Sequence, residues 1–247
     1  MNATYIQQAI EEFKNNISLH VRHRTLARYT GLPVSDESQL FYLLLPFLNG
    51  EQWDGQLEES AITVGIVHAS LNEHDKIDEK NATSKEQQLT VLAGDFYSGR
   101  YYEILARLGN IPLIRQLSEG IAIRCEHQIK IYESTHYTLE EWYQSISVKH
   151  TELIKRFYQV YQFEHYTTFM HTNLLLLQLQ KELQQLQNGK PSNLFMKMGE
   201  SVSNDEKLLE LKVLEEINSL RRLLNEYLQS STFLKDELKL YIQQQLV

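Results

Sequence analysis

The chain has 247 residues, room for one large domain, and an ordinary apolar fraction of 42%. Its formal net charge of -8 argues against nucleic acid as a partner, because a phosphate backbone is held by clustered Lys and Arg. A single cysteine, Cys125, excludes an internal disulfide and suits a reducing, cytoplasmic setting. Only 10 Gly and 4 Pro interrupt a sequence rich in Leu, Gln, Glu and Lys, so long helices are expected.

Taken in chain order, apolar residues at 6, 10, 13, 17 and 21 step by three and four and predict an opening amphipathic helix, with "HVRHR" (20–24) as a solvated face. The N-terminal "MNATYIQQAIEEFK" therefore reads as this helix and not as a leader. "TGLP" (30–33) stops the helix, and Asp36 caps a second one through "LFYLLLPFL" (40–48). That run is the longest apolar stretch and falls well short of the roughly 18 residues of a membrane span. A third helix is predicted from about 58 to 78, with Ile62, Ile66 (or Val67) and Leu71 inward. "KNATS" (80–84) turns into a fourth helix over about 86–108, and "LGNIP" separates a fifth over about 113–133. Thr138 with Glu141 forms a capping box that opens a sixth helix near Leu139. A leucine-rich helix over about 165–187 follows; Leu176, Leu179, Leu183 and Leu186 read as an ordinary core face rather than a coiled-coil seam. "NGKPSN" (188–193) breaks the chain, Ser203 with Glu206 suggests another capping box, and a helical tail covers about 204–246 with a joint near "SST" (230–232). No stretch alternates with period two. The chain reads as a single all-α domain over 1–247.

The stretch "HASLNEHDKIDE" (68–79) carries the chemistry worth weighing. On a continuous helix His74 and Asp78 share a face, with Asp75 one position around. Two carboxylates so placed can hold magnesium against a diphosphate oxygen. On spacing alone, polar residues at a fraying helix end are the preferred reading.

Four ordered blocks over about 60–155 make the chain resemble the trans-isoprenyl diphosphate synthases. "SLNEHDKID" resembles that family's first Asp-rich motif, with His74 standing where the first aspartate belongs and Asp75 and Asp78 kept. "VLAGDFYSGRYYEILA" (91–106) is similar to the following Gly-Asp helix, with Gly94 and Asp95 in register. "EHQIKIY" (126–132) keeps Gln128 with His127 in place of a glycine, and "LEEWYQSISVKHTEL" (139–153) keeps Lys149 with His150 in place of a threonine. Three family features are missing: the Arg pair after the first motif, an N-terminal Gly-Lys-Arg segment, and the second Asp-rich motif, where "HTNLLLLQLQKELQQL" (171–186) has no aspartate.

The resemblance implies a reduced helical bundle of the isoprenoid synthase type and a subunit that is inactive alone. It implies a heterodimer in which a large catalytic subunit carries both Asp-rich motifs and the magnesium, while this chain holds no metal or cofactor itself and has no catalytic residue. The product would be a long-chain polyprenyl diphosphate of about seven isoprene units for the menaquinone side chain, although six or eight fit as well. By the same resemblance the Gly-Asp helix lies at the subunit boundary beside the growing chain. Phe96, Tyr97, Tyr101, Tyr102 and Leu105 would then line a tunnel or interface, with Ala69 and Ser70 at the tunnel floor. Four aromatics in seven residues cannot all face one core. Two other readings remain at this point. One is an HD-type metal-dependent phosphohydrolase using His68, His74 and Asp75; the other is a helical adaptor without prenyl chemistry.

Overall fold

The computed structural model describes residues 3–33, 35–77, 83–133 and 136–245. Among these residues there are α-helices and short 3-10 turns and no strand, so the all-α expectation holds. The chain forms two compact units, Met1–Ser118 with Arg156–Phe163, and Glu119–Lys155 with Glu164–Val247.

The first unit opens with α1 (Ala3–His20), whose Ile6, Ile10, Phe13 and Ile17 are buried as the three-four spacing requires. The helix ends at "HVRHR" instead of running through it. The Nε of Arg100 donates to the freed carbonyl of His20 at 3.0 Å, and His23 caps α2 (Arg24–Thr30) by accepting from the N–H of Leu26. The solvated-face expectation for 20–24 therefore gives way to a cap and a helix break. Helix α3 (Glu37–Asn49) is capped by Asp36 as expected and ends at Gly50, whose φ of 97° places it in the left-handed region.

Helix α4 (Gly55–His74) is the core element of this unit. Every residue from Ser60 to Leu71 is buried, which is why the stretch carries no single apolar stripe. Gly65 gives room to the side chain of Ile17 on α1. Burial of Ile62, Val64, Ile66, Val67 and Leu71 contributes roughly 1.5–3 kcal/mol each. It stops at His74, four residues short of Asp78, which lies outside the described residues. Helix α5 (Lys85–Leu108) runs from its Ser84 cap to Gly109, again left-handed at φ 66°, and packs on α4 and α2.

Asn110 closes the unit. Its Oδ1 caps α6 (Ile111–Ile129) through the N–H of Leu113, and its amide donates to Ser60 Oγ and Tyr161 OH at 3.2 and 2.9 Å. Tyr161 sits near the end of α7 (Leu139–Tyr161), in the returning segment 156–163, where Phe157, Tyr158 and Phe163 are buried. The Tyr158 hydroxyl donates to the buried carbonyl of Tyr42.

In the second unit the Thr138–Glu141 capping box forms in both directions: Thr138 N–H donates to the Glu141 carboxylate at 2.7 Å, and Glu141 N–H to Thr138 Oγ1 at 3.3 Å. Helix α8 (Thr167–Gln187) packs on α10 (Glu206–Ser230); Leu176, Leu179 and Leu183 are buried on the one and Leu209, Val213 and Ile217 on the other. The tail ends in α11 (Asp236–Gln244). Between α8 and α10 a short α9 (Asn193–Glu200) appears where the sequence suggested only a break. Ser192 caps it and is itself held by the buried Glu182 at 2.6 Å. Ser203 is not a cap. It and Asn204 adopt positive φ (56° and 59°), and Asp205 caps α10 instead.

Candidate functional site at the end of the fourth helix

The motif residues of the first unit meet where α4 ends against the middle of α5. The Oγ of Ser70 donates to the carbonyl of Gly94 at 2.8 Å and lies 2.8 Å from the Oγ of Ser98. One turn later the His74 ring lies directly over Gly94: a methyl group built on that glycine would sit 2.6 Å from Nε2 and 2.7 Å from Cε1. The same Nε2 is 3.6 Å from Oδ1 of Asp95, an ion pair when His74 is protonated, too long for a hydrogen bond. Glycine at 94 leaves the space that the His74 ring occupies, and α5 is regular there, so the demand is for room and not for an unusual backbone.

Beneath this pair lies a residue that the spacing argument passed over. The side chain of Glu73 is fully enclosed; one carboxylate oxygen accepts from Lys76 Nζ at 2.6 Å and the other is buried with no hydrogen-bond partner among the described residues. Burial, and then the charge of Glu73, push the Tyr97 hydroxyl up to about 12, while its hydrogen bond with Thr30 works the other way. The sequence signal for Glu73 was the Glu-x-x-Lys step to Lys76, a spacing that pairs charges on a helix.

The remaining expected residues divide as follows. Asp75 occupies the C-cap of α4, exposed, its N–H donating to the carbonyl of Leu71. Because the helix ends there, the shared helical face expected for His74 and Asp78 is not formed within the described residues. Ala69 and Ser70 are fully enclosed, and Ser70 ties α4 to α5. Of the aromatic set, Tyr97 and Leu105 are core, Phe96 is half-buried against His23 at a ring distance of 5.4 Å, Tyr101 is half-buried, and Tyr102 is 56% exposed. Leu92, Asp95, Gly99, Tyr102 and Ala106 form an exposed face along α5.

In the second unit, Lys149 and Gln128 are half-buried on α7 and α6; the carbonyl of Lys149 accepts from the Nε of buried Arg124 at 3.2 Å. His127 Nδ1 meets Ser145 Oγ at 3.0 Å, and His171 Nδ1 lies 3.3 Å from Ser147 Oγ and 3.5 Å from Thr151 Oγ1. Burial lowers the pKa of both histidines. Where a second Asp-rich motif would project from α8, Leu174, Leu176 and Leu179 are buried instead.

Among the described residues no three His, Cys, Asp or Glu side chains converge on a point where a metal could be held, and an imidazole fills the notch at Gly94. The phosphohydrolase reading meets the same obstacle. His68 is buried, and six residues further on His74 has turned about 240° around the helix axis.

Residues 23–229 match the family described as heptaprenyl diphosphate synthase (HEPPP synthase) subunit 1. The chain belongs to that family. A subunit 1 relative, heptaprenyl diphosphate synthase component 1 of Geobacillus stearothermophilus, is 28% identical over 145 residues, spanning 59% of this chain and 66% of that protein. Solved structures supply the fold. A geranylgeranyl pyrophosphate synthase from Corynebacterium glutamicum, crystallised with calcium and isoprenyl diphosphate, superposes with a TM-score of 0.71 at 15% identity, covering 98% of this chain and 94% of that one. Heptaprenyl diphosphate synthase from Staphylococcus aureus gives 0.68 at 13% identity, with 98% and 96% covered. The subunit 1 chain thus has the prenyl synthase fold. Among its described residues no helix is long and apolar enough to cross a membrane.

Proposed function

We propose that this chain is the non-catalytic, regulatory subunit of a heterodimeric long-chain prenyl diphosphate synthase. Its catalytic partner carries two Asp-rich motifs with their magnesium, and the product is the heptaprenyl diphosphate used for the menaquinone side chain in the cytoplasm. The observation that carries this reading is the pair of rewritten positions: His74 seated on Gly94 beside Asp95, and leucines in place of carboxylates along α8. Departure of an allylic diphosphate needs metal to neutralise the leaving group, and each 1.4 kcal/mol lost there costs about tenfold in rate. A chain without either metal site contributes by assembly.

The exposed face of α5, with Tyr102 and the open Gly99, is the surface offered to the partner, and Phe96, Tyr101 and Tyr102 are the side chains near enough to that face to border a prenyl chain. Reconstitution tests the reading. Farnesyl and isopentenyl diphosphates with magnesium are supplied to this chain, to the partner, and to both; long-chain product should appear only with both. Prenyl transfer by this chain alone would refute the non-catalytic role. Full activity and unchanged product from the partner alone would favour an adaptor without prenyl chemistry.

A further inference from the structure

We infer that His74 is a built-in lock: its imidazole takes the place of a bound cation, closing the end of α4 onto α5 by a side chain of the protein itself. Three contacts point the same way. Gly94 has a shape that only the ring completes, since its missing methyl would lie 2.6 Å from Nε2 and 2.9 Å from Cδ2. Asp95, the next residue, places Oδ1 3.6 Å from that nitrogen, so the carboxylate faces the ring. One turn back, Ser70 donates to the carbonyl of the same Gly94 and meets Ser98, fixing the helix pair at the height where the ring enters. Gly94 and Asp95 are therefore a receptor for His74, with a role that requires no metal and no diphosphate. The consequence for the surface is direct. Asp95 belongs to the exposed face of α5, so the lock sets the position of the face offered to the partner.

This deepens the reading of the chain as a non-catalytic subunit. It stands on contacts inside one chain, so it can fail while reconstitution succeeds, and the reverse.

The test is a rescue. Gly94→Ala, His74→Ala and the double variant are compared by thermal unfolding of the full chain, with and without magnesium. The methyl drives the ring from its seat, so Gly94→Ala should lower the Tm by about 2–5 °C; an unchanged or raised Tm overturns the lock. His74→Ala removes the ring, so the double variant should be at least as stable as His74→Ala alone, since Ala also favours the helix. A double variant as unstable as Gly94→Ala overturns the lock. Millimolar magnesium should leave the wild-type Tm unchanged; a magnesium-dependent rise also overturns it, because a cation would then be holding what the ring is said to hold. His74→Asp should be less stable than His74→Asn, since it sets two carboxylates side by side. Equal stability of the two removes the charge part of the proposal.

Discussion

The end of α4 and the middle of α8 are built in opposite ways. The end of α4 is polar: the partly exposed ring of His74 faces Asp95, next to an enclosed Glu73 tied to Lys76. At α8, Leu174, Leu176 and Leu179 lie in the hydrophobic core. The first region has chemistry that one substitution can probe. The second is secured by packing, and a carboxylate placed there meets the full cost of a buried charge.

The largest effect should therefore come from α8. Leu176→Asp puts a carboxylate at a fully buried position, removing packing and leaving a charge without compensation, a loss of about 4–5 kcal/mol. Urea unfolding measures it, and a loss under 1 kcal/mol would mean that α8 tolerates the charge. Next in size is Tyr158→Phe in the first unit, which removes the hydroxyl that donates to the carbonyl of Tyr42 and should cost about 1–3 kcal/mol without touching α8.

The third expectation contrasts the units by pH. Burial lowers the pKa of His127 and His171, so in the folded second unit these rings bind protons less readily than in the unfolded chain, where the value is near 6.5. Their contribution is complete above that value and is lost as pH falls from it through the lowered folded pKa. Hydrogen exchange should show α7 and α8 opening more readily at pH 5 than at pH 7, and His171→Gln should flatten that difference. The smallest effect belongs to Tyr102→Ala. With the ring more than half exposed, unfolding free energy should change by no more than about 0.5 kcal/mol. Co-purification with the catalytic partner should nevertheless weaken; unchanged association would place the interface elsewhere.

Local signals made most of the fold legible. Asp36 and Thr138–Glu141 are caps because short polar side chains satisfy helix N–H groups wherever they stand, and Gly50 and Gly109 end helices for an equally local reason. The errors occurred where distant contacts decide. The opening helix stops at His20 because Arg100, eighty residues away, satisfies its carbonyl. Ser203 lost the cap of α10 to Asp205 through two left-handed residues, and α9 depends on Glu182 holding Ser192. For the site, the order of blocks pointed to Gly94, Asp95 and His74, but their mutual fit was invisible without a backbone. Glu73 and Thr30 went unnoticed because their importance comes from what covers them.

The returning segment 156–163 has a consequence for the chain during its synthesis. The first unit lacks Phe157, Tyr158 and Phe163 until those residues have been made, and the contact from Tyr158 to Tyr42 closes a loop of 116 residues. By then residues 119–155, which belong to the other unit, have already emerged and wait for their own partners from 164 onward. The two units cannot mature one after the other like beads leaving a ribosome. Each holds the other's folding schedule open, which predicts a slow, non-local closing step and apolar surface left bare on α3 and α4 until residue 163 is available.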